Sequence, residues 1–305
     1  MRERLIRVFA IIGLSILTPA EALAINWIYD TNNNSLRSQI ERNPDELALE
    51  GQTVFKFSIE HGGCGGDENW NDCVNDRQRV ELKSGYHISL QNFGSKSKKT
   101  RKHYQVKLYI PSEEAFPNLY PMLQMIHQVK LHEKNNPIWS VYSEYSGLRI
   151  RTDSRGICLI KREFVPREEW LSIDIFADYT IADSNIPKSI DKDNPAFEYK
   201  INGKSVCKIY QPLVTKQALK DGGRRALQLK FGIYNTFASR WLLGQDENKA
   251  WVKENNITFG GYQQNTKGQS NGAVSSTLGK PFDYNWPVKL PTQTIYYSDW
   301  IISNF

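Results

Sequence analysis

Long hydrophobic runs are scarce in this 305-residue chain. Beyond its first residues, no stretch is apolar over the roughly 20 positions that a bilayer-spanning helix requires. No segment sustains a 3.6-residue apolar period either, which argues against a helical bundle. Methionines number only three and cysteines four. Paired C-x-x-C spacing is missing, as are a phosphate-cradling glycine loop and a zinc-binding helix motif, so the usual sequence grounds for a nucleotide or metal enzyme are not met.

The N-terminal segment carries Arg2, Arg4 and Arg7, an apolar run from Val8 to Leu17, a break at Pro19, and small residues at Ala22 and Ala24. This pattern predicts a signal peptide over 1–24 and one mature domain over 25–305, secreted or periplasmic, with no membrane attachment after cleavage. The net charge is +6, and loss of three arginines and two glutamates with the leader lowers it by one. A basic exported chain with 15 Tyr and 8 Trp suits an anionic polysaccharide as partner ahead of nucleic acid, for which no motif is present. It is expected to act as a monomer. Four cysteines in an exported protein imply two disulfides, with three pairings open on paper. Cys64 and Cys73 bracket a short Gly- and Asn-rich loop, whereas Cys158 and Cys207 sit in apolar strand-like runs; near is expected to pair with near, and strand with strand.

Strand signals recur along the chain with turn clusters between them, so the class is all-β, a sandwich with one polar groove. Tyr104 to Ile110 and Leu148 to Arg151 alternate apolar with polar residues, as half-buried strands do. Asn202-Gly203, Asp221-Gly222-Gly223 and Gly260-Gly261 supply turn chemistry. Short helices are expected around 35–41, 113–116 and 215–220, and the polar stretch 244–280 reads as long loops over one end of the sandwich or, equally, as a disordered insertion.

Three segments present similar hydrophilic faces. In 76–83, Arg77, Arg79, Glu81 and Lys83 share one face with Val80 and Leu82 behind. In 126–132, Gln128, Lys130 and His132 share a face, and His127 falls on the Val129 and Leu131 side as a core histidine. In 226–235, Gln228, Lys230 and Tyr234 face one way, with Gly232 leaving room between them, and Leu227, Leu229, Phe231 and Ile233 face the other. Arg149 and Arg151 add two more cations on the polar face of a further strand. Taken alone, an Arg-Glu-Lys face is most simply a solvated surface and a strand tyrosine a packing residue; it is the coincidence of the segments that points to a site.

Asp76-Arg77-Gln78-Arg79-Val80-Glu81-Leu82, Ile126-His127-Gln128-Val129-Lys130, the hairpin around Asn202-Gly203 and, most closely, Lys230-Phe231-Gly232-Ile233-Tyr234 resemble motifs of exported polysaccharide lyases of the heparin lyase I and glucuronan lyase type. That resemblance implies a concanavalin-like β-jelly roll, shared with alginate lyases, and β-elimination on a uronate-containing polysaccharide. The chain departs from the pattern at Lys130, where the family has its histidine two residues after the glutamine.

Elimination requires the C5 carboxylate neutralised, the C5 proton removed and the C4 oxygen protonated. Arg79 and Gln128 are the expected carboxylate donors, with Glu81 orienting Arg79, and Lys230, Arg149 and Arg151 as further substrate-binding cations. Tyr234 is the expected acid and also the first candidate base, if Lys230 and Lys130 favour its phenolate; Lys130 and His132 are the other base candidates. The reaction needs no cofactor. The loop 62–76 nevertheless collects Asp67, Glu68, Asn69, Asn71, Asp72 and Asn75, oxygen donors enough for calcium, in a spacing unlike an EF-hand; a solvated disulfide loop is the alternative. Two other functions stay open: a non-catalytic carbohydrate-binding sandwich, and a glycoside hydrolase, for which Ser172 to Phe176 offers only the single acid Asp174.

Overall fold

The computed structural model describes residues 27–29, 36–67, 70–85, 88–89, 101–131, 136–182, 194–215, 226–257 and 280–305. The expected leader over 1–24, His132, and the turns at Asp221-Gly222-Gly223 and Gly260-Gly261 lie outside the described residues.

In chain order the strands begin with β1 (Trp27–Tyr29), β2 (Ser38–Arg42), β3 (Val54–Ile59), β4 (Gly66–Asp67), β5 (Trp70–Asn71), β6 (Arg77–Ser84) and β7 (Ile88–Ser89). They continue as β8 (Arg101–Tyr109), β9 (Leu123–Leu131), β10 (Pro137–Glu144), β11 (Gly147–Thr152), β12 (Ile157–Lys161), β13 (Trp170–Asp178) and β14 (Ile181–Ala182). The last are β15 (Phe197–Ile201), β16 (Lys204–Ile209), β17 (Val214–Thr215), β18 (Ala226–Thr236), β19 (Gln293–Ser298) and β20 (Ile301–Asn304). Two helices follow β18, α1 (Ala238–Leu242) and α2 (Asp246–Glu254).

The strands form two large antiparallel sheets. One runs β1-β6-β18-β9-β10-β11-β12, with β7 also beside β18; the other runs β16-β15-β13-β8-β19-β3-β2, with β20 also beside β8. Their inner faces share one apolar cluster, in which Val80, Val129, Trp139, Leu229 and Phe231 of the first sheet meet Phe57, Leu108, Ile173 and Phe197 of the second. Each such side chain, fully buried, contributes about 1.5–3 kcal/mol, so the period-2 alternation determines which face turns inward. The architecture is a jelly-roll sandwich, in agreement with the expected class.

Both disulfides pair as expected. Cys158 and Cys207, with Cα atoms 5.9 Å apart, join edge strands β12 and β16 and so stitch the two sheets along one side. Cys64 and Cys73, 5.4 Å apart, close the loop leading into β6. The Asn202-Gly203 turn has positive φ at both residues, 50° and 77°, the backbone that a two-residue hairpin between β15 and β16 requires.

Three local expectations are corrected. Residues 38–42 form a strand because they pair with the edge of β3, Ser38 opposite Ile59. Residues 113–116 make a turn rather than a helix. Within 244–280 the polar stretch holds α2, whose Trp251 packs against Trp286 at 5.5 Å between ring centroids. Asn248 of α2 is buried, donating to the Leu242 carbonyl and accepting from the Val288 amide. Two polar anchors, Trp251 and Val252 hold this helix to a satellite core of Leu119, Met122, Leu242, Trp286 and Leu290, a pattern too sparse to show as amphipathic periodicity. Among the described residues no helix is long and apolar enough to cross a membrane.

His127 is fully buried, with its ring nitrogens 3.3 Å from the Tyr199 hydroxyl and 3.5 Å from the Tyr297 hydroxyl. Burial pushes its pKa down to about 3. Below pH 6.5 the unfolded chain therefore takes up a proton here that the folded chain does not, so this share of stability is complete above pH 6.5 and is lost as pH falls toward 3. Urea unfolding at pH 4 and pH 7 is expected to show a smaller pH-dependent difference for His127→Gln than for the native chain; equal differences refute the buried neutral imidazole.

Candidate functional site

The candidate site lies on the outward face of the first sheet, where β6, β18, β9, β10 and β11 run side by side. Cross-strand register assembles it. Tyr234 stands opposite Arg79 of β6, and Gly232 opposite Glu81. On the other side Lys230 stands opposite Gln128, and Tyr234 opposite Met125. Tyr142 of β10 is opposite both Met125 and Arg149 of β11. Arg79, Gln128, Lys230 and Tyr234 thus share one face, as the alternation predicts.

Tyr234 is 8% exposed, yet it is not part of the inter-sheet core: it packs with Met125 and Tyr142 in a small separate cluster. Two arginines flank it. The Arg79 guanidinium lies over the ring, 4.2 Å from the centroid, in cation–π geometry. Arg77 approaches end-on, its Nη1 donating to the phenol oxygen at 2.6 Å. Burial pushes the phenol above its ordinary value of 10; Arg79 and then Arg77 oppose that shift, and Asp72 and Glu81 reinforce it. The resting side chain is a neutral phenol.

Arg79 is placed differently from the expectation that its fork would wait for a substrate carboxylate. Its Nη2 donates to one oxygen of Asp72 at 3.0 Å and its Nε lies 2.9 Å from the other in the same ion pair, with Nη1 toward Glu81 at 3.7 Å. Asp72 is 1% exposed and sits beside Cys73 in the disulfide-closed loop, so the loop delivers a buried counter-ion to the strand. Glu81, also buried, accepts from the Gln128 amide at 3.0 Å. That bond reaches from β9 to β6 with β18 between them, and the β18 residue opposite Glu81 is Gly232.

Gly232 matters on its inner side as well. It has φ +134°, and a Cβ there would come 2.2 Å from the Val80 carbonyl and 2.8 Å from the Phe57 ring. The pairing of β18 with β9 shifts between Phe231 and Tyr234, a bulge that only glycine accommodates at this point.

The lysines are not among the charged groups that act on the phenol. Lys230 is four residues along β18 from Tyr234, roughly 13 Å at about 3.3 Å per residue, and Lys130, opposite Gln228, is roughly 20 Å away on the same scale. The expectation that they supply the cationic field at Tyr234 is therefore corrected: strand spacing puts Arg77 and Arg79 there instead. Lys83 stands opposite Lys230, which is itself buried. Arg149 and Arg151 lie on the same face three strands from β18; Arg149 is ion-paired with Glu144. Asp174, the single acid of the hydrolase alternative, is on the other sheet, bound to His103 and Gln105 at 2.8 and 3.1 Å. Among the described residues no cluster of three or more His, Cys, Asp or Glu is placed to hold a metal ion. Of the oxygen donors proposed for calcium, Asp72 is engaged by Arg79.

Sequence reasoning passed over Asp76. Its carboxylate accepts from the Ser239 amide and hydroxyl at 2.7 and 2.6 Å, and its own carbonyl accepts from the Phe237 and Ala238 amides. Burial raises its pKa to about 6. This latch fastens the start of β6 to the end of β18, the two segments that carry Arg77 and Tyr234. The available signal in the sequence was an Asp, a turn-favouring residue, between the Cys64–Cys73 loop and the strand that begins at Arg77.

No protein-family model and no curated protein matches the sequence. Among solved structures, the alginate lyase AlgAT5 from polysaccharide lyase family 7 is 11% identical, over 92% of this chain and 94% of its own, with a TM-score of 0.41. A receptor binding domain is 11% identical over 92% of this chain and 42% of its own, with a TM-score of 0.39. An alginate lyase from Klebsiella pneumoniae is 11% identical over 85% and 83%, with a TM-score of 0.38. Likenesses at this level carry no weight for chemistry, which rests on the residues described above.

Two substitutions test the assembly of the face. Gly232→Ala is expected to destabilise the fold by at least about 2 kcal/mol, from backbone collision and a forbidden φ. Asp72→Ala is expected to cost about 3 kcal/mol by leaving Arg79 without its buried counter-ion. Urea midpoints unchanged from the native chain would contradict the bulge and the buried pair respectively.

Proposed function

We propose that this protein is an exported polysaccharide lyase that cleaves a uronate-containing anionic polysaccharide by β-elimination. The observation that carries the reading is the neutral phenol of Tyr234 held between two guanidinium groups on an outward sheet face. A β-elimination site needs a proton carrier surrounded by charge that tolerates an anionic sugar.

In this reading the uronate carboxylate lies against Gln128 and the Nη1 edge of Arg79, with Asp72 and Glu81 fixing those two donors. Lys83, Lys130 and Lys230 on one side, and Arg149 and Arg151 on the other, receive the carboxylates of neighbouring sugars. Lys130 is too far from Tyr234 to share its sugar ring, and His127 is in the core. Tyr234 itself is therefore assigned both proton transfers, among the described residues. As phenolate it takes the C5 proton; the C5–H electron pair becomes the C4–C5 double bond, the C4–O bond breaks with its pair on oxygen, and the phenol returns the same proton to that oxygen. No net proton is consumed. Expected export agrees with two disulfides, which persist in oxidising compartments.

A second reading, a carbohydrate-binding sandwich without catalysis, is favoured by one observation: the Arg79 fork is already committed to Asp72. Purified protein incubated with a panel of uronate polymers separates these readings. The lyase is expected to generate ultraviolet absorption from the conjugated alkene, and Tyr234→Phe to reduce its rate about 10²-fold or more. Affinity without absorption supports the binding module, and new reducing ends without absorption indicate hydrolysis.

A further inference from the structure

The two arginines on the outer face of β6 do different work. Arg79 lies against the face of the Tyr234 ring and is anchored by Asp72. Arg77, two residues earlier, has its guanidinium carbon 5.8 Å from the ring centroid because it meets the ring at its hydroxyl end, at 2.6 Å. A guanidinium has N–H donors and no acceptor, so in this bond the phenol oxygen can only accept. Its own hydrogen is then directed away from Arg77, free to be given to another oxygen. The same contact places a permanent positive charge against the atom that becomes negative when that hydrogen leaves.

We propose that Arg77 is the positioning residue for Tyr234: it holds the phenol oxygen by a lone pair, aims the transferable hydrogen toward a bound sugar, and stabilises the phenolate that exists before the first proton transfer and after the second. Arg77 itself neither gains nor loses a proton. Its catalytic meaning rests on the lyase reading, but the coupling of Arg77 to the ionisation of Tyr234 does not. The charged groups around the phenol are Arg77, Arg79 and Glu81 from β6 and Asp72 from the loop; β9 and β10 contribute Met125 and Tyr142. Arg77 is thus one of two cations acting on this oxygen, and the one in direct contact with it.

The test installs 3,5-difluorotyrosine at position 234 of the full chain, where fluorine brings the phenol into an accessible titration range, and follows its ionisation by fluorine NMR. Arg77→Gln is expected to raise the titration midpoint by about one unit or more, the scale of losing an adjacent opposite charge. Arg77→Lys, which keeps the charge and loses the planar fork, is expected to fall between the two. A midpoint within a few tenths of a unit of the parent in a folded Arg77→Gln protein overturns the proposal; if that variant does not fold, a parental midpoint in Arg77→Lys does so. In the native chain, the pH at which kcat rises is expected to move upward by the same interval in Arg77→Gln. Failure of every polymer to be cleaved overturns the lyase reading and leaves the NMR titration to decide on Arg77.

Discussion

The register of β18 between β6 and β9, with Tyr234 opposite Arg79 and Gly232 opposite Glu81, is the constraint on which the candidate site depends. Slipping that register by one residue would send Tyr234 and Lys230 into the sandwich and turn Phe231 and Ile233 outward. Four large apolar side chains on the inner face of β18, Leu227, Leu229, Phe231 and Ile233, are all fully buried, so hydrophobic burial holds the hydrophilic face in place. The polar residues contribute little to the choice of register and gain their geometry from it.

A second layer of control comes from the loop before β6. The Cys64–Cys73 bridge closes it, Asp72 neutralises Arg79, and Asp76 clasps Ser239 beyond the end of β18. Buried charges are tolerated here because each has a partner at hydrogen-bond distance. The loop thereby does for the arginines what the sandwich core does for the strands: it restricts them to one arrangement around the phenol. Gly232 completes that arrangement from the inside, since a side chain there would strike the Val80 carbonyl.

Charge along the face is divided rather than uniform. Near Tyr234 the cations are compensated by Asp72 and Glu81, whereas farther along the face Lys83 stands opposite Lys230.

Much of this was legible from residue order alone. Alternation specified the strands, the inward and outward faces and the core position of His127, and local context predicted both disulfide pairs. The same reasoning assigned residues 38–41 to a helix, where pairing with β3 outweighed local propensity, and missed α2, which is held by Asn248, Trp251 and Val252 rather than by a long apolar stripe. It also gave the phenol the wrong cations. Lys230 belongs to the same motif as Tyr234, but a strand extends its residues by about 3.3 Å each, so closeness in that motif becomes distance in space. Arg77, 157 positions away, is the group that touches the phenol. What the sequence by itself determined was which side chains share a face, because that depends only on the period of an extended chain. Which of them touch, and that Arg79 is bound by Asp72, was decided by tertiary structure, because those contacts arise from strand pairing and from the path of a crosslinked loop.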